Sequence, residues 1–433
     1  MIDALNDVPL SAVPIGRLRE SAGPRAWERL TDAQARAGEL LAGRVVWSIS
    51  STAIGGGVAE MLRTILPYTR AGGVDARWLV VRGSADFFRV TKRIHNFLHG
   101  HLGDNGLLGE AERSSYELVL NDTSRVLRDL IRPADVVILH DPQTLGLALG
   151  LKRLGATVVW RCHIGTNELG GLSEAAWDFL WPYAQEPDVV VFSRRASVPS
   201  RLPRQSVRLI APSIDPFSDK NRELSESEIE TVLRKVGITN DKPIVTQVSR
   251  FDRLKDPIGV LNAWKAARQR VDCQLILVGG GAPDDPEGAA VLKELRDAAG
   301  DDPDVHILDL PPTSNVEINA IQRASSVIIQ KSLKEGFGLT VSEALWKGKP
   351  LIAGAVGGIP LQVTHRYSGI LVHTVEGTAF WIKQLLSAPD FAARLGKNGR
   401  EHVRNNFLLT RHMRDYMLAF IYLKHLNESV IQL

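Results

Sequence analysis

Two kinds of hydrophobic pattern alternate along this chain. Short continuous apolar runs occur at Arg44–Ser50, Arg77–Val81, Asp135–His140, Thr157–His163 and Asp188–Ser193, and again at Pro243–Ser249, Gln274–Gly281, Val305–Leu308, Ser326–Gln330 and Pro350–Ala353. Runs of this length, rich in Val and Ile and bounded by Gly, Pro, Asp or Ser, predict strands buried on both faces of a parallel sheet. Between them lie stripes at helical spacing, of which Val58, Met61, Leu62, Ile65 and Leu66 form the clearest. Strand alternating with helix through both halves predicts an α/β chain with two doubly wound, Rossmann-like sheets.

Two prolines bracket a stiff turn at Pro212-Ser-Ile-Asp-Pro216, and the polar run Ser218–Glu230 follows. A domain boundary near Pro212 fits both features. Domains are therefore expected over 41–212 and 213–410, after a helical extension over 1–40. That extension carries Trp27, Leu30, Ala33, Ala37 and Leu40 at near-helical spacing from Pro24 to Leu41, with Pro24 suited to the first turn. The first ten residues show no such stripe and are compatible with disorder. A last helix, Arg411–Leu423, carries Met413, Tyr416, Met417, Phe420 and Ile421.

Parallel sheets bind ligands at the carboxyl edge of their strands, so polar residues there are candidates for chemistry. Glu335-Gly-Phe-Gly-Leu-Thr-Val-Ser-Glu343 follows one predicted strand. Gly336 and Gly338 interrupt the helix, which places Glu335 in the loop and Glu343 on the helix behind it. Two acids at two depths suit a ligand with two sets of hydroxyls, such as a nucleotide sugar; a solvated loop acid and a helix-face acid are the plainer alternative. Arg250 and Lys255 leave the first strand of the second half. A diphosphate calls for a forked donor beside a point charge, although Asp252 and Asp256 stand close enough to neutralise both. Lys331 and Lys334 read as solvated surface.

In the first half, Gly55-Gly56-Gly57 joins a strand to a helix and offers backbone N–H groups and a helix dipole to phosphate. Glu60 stands where a dinucleotide fingerprint needs its third glycine. One strand ends in His140, Asp141 and Gln143, and another in His163, Thr166 and Asn167. Either histidine alone reads as structural, whereas two at one sheet edge read as a site. Asp86–His99 is either a recognition helix presenting Arg89, Lys92, His95 and Asn96, or a core helix packed through Phe88, Ile94 and Leu98.

Composition narrows the partners. A chain of 433 residues exceeds one ordinary core and suits two domains. Its 52 basic and 49 acidic residues nearly balance, which removes the electrostatic case for nucleic acid or a membrane surface. Cys162 and Cys273 stand far apart, so no disulfide framework is expected and a reducing compartment is. The N-terminus lacks the basic and apolar regions of a signal peptide, and no apolar run approaches the roughly 20 residues that span a bilayer. A cytoplasmic protein is expected. No Asp-x-Asp-type site stands where a metal would serve, so neither metal nor other cofactor is expected, and no carboxylate pair reads as the acid and nucleophile of a glycosidase.

Arg250-x4-Lys255 together with Glu335-x7-Glu343 resembles the phosphate clamp and donor cradle of retaining nucleotide-sugar glycosyltransferases of the GT-B fold, whose two Rossmann-like domains face each other across a cleft. The stretches Ser51–Leu62, Phe87–Asn96, His140–Gln143, Trp160–Ile164, Val248–Pro257 and Glu335–Pro350 are in turn similar to the trehalose glycosyltransferring synthases, which make α,α-trehalose from a nucleoside diphosphate glucose and glucose. The similarity runs in register over roughly residues 20 to 425. It implies that Arg250 and Lys255 hold the diphosphate, that Glu335 orients donor hydroxyls beside the backbone of Gly336, Phe337, Gly338 and Leu339, and that Glu343 binds the ribose. It implies that Gly56 and Gly57 admit the phosphates, that His163 lies near the anomeric carbon, and that His140, Asp141 and Gln143 line the acceptor side. Front-face displacement with retention, a C-terminal helix (411–433) crossing back onto the first domain, and small-molecule partners alone follow from the same source; a homodimer is left open. The pattern departs after His163, where Gly165 stands in place of an expected Asp, a position that bears on the acceptor. Alternatives of the same fold are a trehalose phosphorylase, a glycosyltransferase with another acceptor and an epimerase of nucleotide sugars. A sugar-nucleotide sensor is the alternative outside enzymes.

Overall fold

The computed structural model describes residues 4–54, 56–164, 170–280 and 286–424. Gly55, Gly165, Thr166, Asn167, Gly281 and the chain past 424 lie outside the described residues. The chain forms two compact units, one reaching to Pro212 and taking in the segment from Leu409, the other spanning Ser213–Leu408.

The first unit is built on β1 (Leu5–Asp7), β2 (Val45–Ser50), β3 (Asp75–Val81), β4 (Val136–His140), β5 (Thr157–Cys162), β6 (Val189–Phe192) and β7 (Val207–Leu209). Their order is β1-β3-β2-β4-β5-β6-β7, parallel except where β1 pairs antiparallel with β3. The second unit is built on β8 (Ile244–Val248), β9 (Gln274–Gly279), β10 (Val305–Asp309), β11 (Val327–Gln330), β12 (Leu351–Gly354) and β13 (Ile370–Val372). It is parallel throughout the described pairs, in the order β10-β9-β8-β11-β12-β13. Each sheet winds outward from one strand and then continues on that strand's other side. Strand order therefore reverses between β2 and β4 in one sheet and between β8 and β11 in the other, the positions where doubly wound sheets take ligands.

Burial explains why these runs became strands. Every residue of β2, β4, β8 and β11 is buried, as expected of Val- and Ile-rich strands covered on both faces. One face of the first sheet gathers Trp47, Ile49, Val137, Leu139, Trp160 and Cys162 with Phe87, Val90, Ile94 and Phe97 of the helix Ala85–Leu98. The buried stripe starts at Phe87, so Phe88 falls outside it and stays 40% exposed. Of the three residues expected in that core, Ile94 and Leu98 are there and Phe88 is not. Arg89 on this helix is exposed and paired with Asp86 at 2.9 Å. The helix Pro24–Leu40 packs against the helix Leu409–Lys424, which belongs to the first unit. Residues 5–7 are held by pairing: Leu5 is buried where β1, a strand too short to leave a periodic signal, runs along the edge of β3.

No helix among the described residues is long and apolar enough to cross a membrane. One buried carboxylate ties the first sheet together. Asp135 accepts the Val45 N–H at 2.9 Å, the Trp47 indole N–H at 3.1 Å and the Arg132 N–H at 3.0 Å, joining the start of β2 to that of β4. Asp135→Ala leaves these donors without an acceptor and is expected to lower the unfolding free energy by about 3 kcal/mol. Urea denaturation should show this loss, with part of it recovered in Asp135→Asn.

Candidate functional site

In the second unit, the loop after β8 is drawn tightly over the sheet edge. A Cβ on Gly279, at the end of β9, would stand 1.8 Å from the Ser249 carbonyl oxygen, so only glycine admits the loop there. Asp252 Oδ1 accepts the Leu254 N–H at 2.7 Å and starts the turn Arg253–Lys255. Gln247 Nε2, from β8, donates to the Lys255 carbonyl at 2.7 Å. Asp256 then takes a left-handed conformation and caps the helix Pro257–Arg268 through the Gly259 N–H at 3.0 Å. The Leu333 N–H donates to the Leu254 carbonyl at 2.8 Å, which joins this loop to the one leaving β11.

The two loops bring opposite charges together. Lys255 Nζ lies 2.6 Å from Glu335 Oε2, with these side chains 18% and 10% exposed, and Ser332 Oγ donates to the same oxygen at 3.1 Å. Lys331 pairs with Asp256 and is buried, contrary to the expectation of a solvated lysine: its position directly after β11 turns it inward to the carboxylate that caps the next helix. Arg250 is 60% exposed and makes a single 3.2 Å contact with Asp252. Asp252 thus meets Arg250, as its proximity in sequence suggested, while Asp256 serves Lys331 rather than Lys255.

Glu335 does sit in the loop and Glu343 on the helix, Leu339–Trp346, that follows it. Gly338 between them adopts φ 82°, and a Cβ there would lie 3.1 Å from Glu335 Cγ. The Phe337 ring is turned into the core against Phe407, at 5.6 Å between centroids, which leaves only its backbone for any ligand. Even the Phe337 carbonyl is engaged, by Gln362 Nε2 at 2.6 Å, while Gln362 Oε1 accepts from Ser342 at 2.5 Å. Gly357 faces the Glu335 carbonyl so closely that a Cβ would stand 1.6 Å away. Gln362 and Gly357 thus shape this loop, and the sequence reading missed both: a turn signal marks Gly357-Gly358, but nothing local marks Gln362. Glu343 is 3% exposed, and no described residue hydrogen-bonds or ion-pairs with its carboxylate. One turn on, Lys347 Nζ donates to the Glu343 carbonyl and to Asn221 Oδ1, at 3.3 and 3.1 Å. Burial draws the Lys347 ammonium down to about 7, against the opposing pull of the Glu343 charge.

In the first unit, His140 ends β4 and His163 follows β5, and the structure brings them together. His140 Nδ1 and His163 Nε2 are 3.3 Å apart, with the rings stacked at 18°. Burial, reinforced by the Arg161 charge, pulls His140 down to about 3 and His163 well below the usual range, so both rings are neutral at pH 7. Asp141 links the two strand ends: its N–H donates to the Arg161 carbonyl at 2.8 Å and its Oδ1 accepts the His163 N–H at 2.7 Å. Its backbone, at φ 62° and ψ 178°, lies in a region that a residue with a side chain enters only under strain of about 1–3 kcal/mol. Such strain persists where surrounding contacts enforce it, and it clusters at ligand sites. Desolvation pushes the Asp141 carboxyl up to about 7, against the lowering effects of the His163 N–H bond and the Arg161 charge. Gln143 Oε1 is buried without a partner. Arg161 is fully buried, donates to Ser193 Oγ at 3.2 Å, and sets much of the local field, yet it carried no signal in sequence beyond its place in a strand. Gly57, at the start of the helix Gly56–Ala71, is exposed, and a Cβ there would meet nothing within 4 Å.

Residues 48–199 match the family described as trehalose synthase, N-terminal domain, and residues 228–402 match glycosyl transferases group 1. The chain is 41% identical over 392 residues to a trehalose synthase of Rubrobacter xylanophilus, a match covering 89% of this chain and 92% of that one. This chain belongs to the trehalose synthase family. A Pyrococcus horikoshii trehalose synthase is 38% identical over 381 residues, covering 88% of this chain and 90% of its own. A trehalose phosphorylase of Pleurotus pulmonarius is more distant, at 29% identity with 82% of this chain and 53% of that protein covered. Among solved structures, an α,α-trehalose 6-phosphate synthase of Burkholderia multivorans superposes with a TM-score of 0.71 at 16% identity, over 89% of this chain and 99% of that one. The fold is GT-B, with two Rossmann-like domains, and the enzyme is a hexosyltransferase of trehalose-related glycosyl transfer.

The buried histidines make the first unit acid-sensitive. His140, His163 and His412 all have folded pKa values below the unfolded one. Their stabilising contribution is complete above the unfolded histidine pKa, about 6.5, and is lost as pH falls toward the folded values. Asp141 works the other way, since its raised value favours the fold more at acid pH, but it is one group against three. Stability in denaturant titrations is expected to fall from pH 7 to pH 5, and to fall less in His140→Gln.

Proposed function

We propose that this trehalose synthase family member transfers glucose from a nucleoside diphosphate glucose to free glucose, forming α,α-trehalose with retention at the donor's anomeric carbon. The observation that carries this reading is the Lys255–Glu335 pair at the strand-order reversal between β8 and β11, with Arg250 exposed on the same loop. Glu335 neutralises Lys255 across the two loops. A bound diphosphate supplies Lys255 with a new anionic partner and frees Glu335 to accept hydrogen bonds from donor hydroxyls. Arg250 gives up only one exposed contact to turn its fork to the phosphates, which costs little. Glu343, buried and without a partner among the described residues, suits the ribose hydroxyls.

In the reaction, the acceptor hydroxyl oxygen attacks C1 of the donor glucose on the face the leaving group vacates. The bond from C1 to the β-phosphate oxygen breaks with its electron pair going to the diphosphate. The hydroxyl proton passes to the departing phosphate oxygen. Lys255 and Arg250 stabilise the charge that grows there, the largest service a preorganised site provides. His163 takes the donor's anomeric side, Asp141 and the buried Gln143 Oε1 take the acceptor side, and His140, 2% exposed, supports His163 rather than meeting a sugar. The reading assigns no metal or other cofactor. A phosphorylase, using inorganic phosphate in place of a nucleotide, would leave Glu343 without a ribose to bind.

The direct test offers purified enzyme a panel of nucleoside diphosphate glucoses with glucose, and separately trehalose with inorganic phosphate, identifying products by mass and NMR. Trehalose plus nucleoside diphosphate is the expected outcome; turnover with phosphate alone overturns the reading. Lys255→Ala and Glu335→Ala should each lower kcat/KM at least tenfold, about 1.4 kcal/mol of transition-state stabilisation, with unchanged circular dichroism. Near-wild-type rates in either folded variant would remove that residue from the site.

A further inference from the structure

Beneath the helix Leu409–Lys424, on the sheet face that carries Ser48 and His140, the first unit holds a small cavity of about 30 Å³. Its lining is mostly apolar, with Met61, Leu62, Met413 and Phe420 prominent. Ser48, His140 and Tyr416 also line it. These residues are 1%, 2% and 8% exposed, and Ser48 Oγ, His140 Nε2 and Tyr416 Oη are buried with no hydrogen-bond partner among the described residues. Thr69 also borders the cavity, but its hydroxyl already donates to the Ile65 carbonyl at 2.9 Å. Leaving a buried polar atom unpaired costs about 1–3 kcal/mol, and protein interiors meet that cost with ordered water wherever polar groups converge on enough room. This cavity is roomy enough for a water molecule.

We propose that the cavity is a resident water site through which Ser48 and Tyr416 act as positioning residues for His163, by setting the tautomer of His140. The logic follows from the 3.3 Å contact between His140 Nδ1 and His163 Nε2, in which one ring must donate and the other accept. When His140 Nε2 carries a proton and donates it to the water, Nδ1 is bare and accepts from His163 Nε2–H. His163 Nδ1 is then a lone pair. When the water, itself accepting from a hydroxyl, donates to His140 Nε2, the pattern inverts and His163 Nδ1 carries the proton. Ser48 and Tyr416 therefore decide whether His163 offers an acceptor or a donor at Nδ1. Both rings stay neutral in either arrangement, because burial and the adjacent Arg161 charge oppose an imidazolium. The other ionisable groups around the pair are Asp141, which holds the His163 N–H, and His412, whose ring lies against Tyr416 at 5.2 Å. A catalytic consequence rests on the reading that His163 faces the reacting sugar; the relay itself does not.

The test is 15N–1H correlation NMR of the full chain labelled with 15N-histidine, as wild type, Tyr416→Phe and Ser48→Ala, with His140→Gln and His163→Gln for assignment. Both substitutions remove a hydroxyl and little else. Expected are neutral rings for His140 and His163, a shifted His140 Nε2 resonance in both variants, and a changed tautomer ratio at His163. Tyr416→Phe should also lower kcat about tenfold with KM unchanged, a small part of what general acid–base chemistry supplies. Unchanged His140 and His163 resonances in both variants overturn the relay whatever the rates do. Resonances that move while kcat stays constant uphold the relay and overturn the placement of His163 at the reacting sugar.

Discussion

One ion pair, Lys255 with Glu335, joins two loops that leave neighbouring strands of the second sheet and travel apart. Its geometry is possible only because strand order reverses between β8 and β11, which brings residues eighty positions apart to one edge. Neither side chain is well solvated, so removing one partner leaves the other as an uncompensated charge in a poorly hydrated place. The neighbouring Lys331–Asp256 pair, also poorly solvated, obeys the same rule. Two cations and two anions thus balance, and the charges of Lys255 and Lys331 become available only through an exchange of partners. A ligand bearing its own anions can drive that exchange, whereas a neutral ligand cannot. The pairing, and not merely the presence of lysines, thus selects for an anionic ligand over a neutral one.

The sequence made much of this architecture legible, because strands buried on both faces leave unbroken Val and Ile runs and helices leave 3.6-residue stripes. The split between a loop acid and a helix acid was legible for a different reason. Gly338 sits at φ 82°, where other residues are strained, so the break between Glu335 and Glu343 is a local property of the chain. What escaped depends on partners far away in sequence. Lys331 looks like any surface lysine until Asp256 is folded beside it, and Phe337 looks like a ligand contact until Phe407 receives its ring. Phe88 and Phe87 are interchangeable in composition, and a rotation of one helical position decides which is core. Strands of three residues such as β1 and β13 are too short to show a period at all. Gln362 is invisible by the same logic: two of its bonds reach back twenty and twenty-five positions, to Ser342 and to the Phe337 carbonyl.

The two units solve the same structural problem with different electrostatics. At the strand-order reversal of the second, ionised groups face one another in pairs. In the first, the carboxyl edges of β4 and β5 collect neutral histidines held below their usual range, beside an aspartate pushed up to about 7. The fully buried Arg161 explains part of this, since its charge makes a further cation beside it costly. A neutral polyol is best met by groups that donate and accept without changing charge, because an ionised side chain would have to be desolvated against a partner that cannot neutralise it. A departing diphosphate demands the opposite. In the strained Asp141 backbone one residue holds the His163 N–H with its carboxyl while its own N–H stays on the Arg161 carbonyl, joining the ends of β4 and β5. A backbone held there costs about 1–3 kcal/mol and persists only because surrounding contacts enforce it.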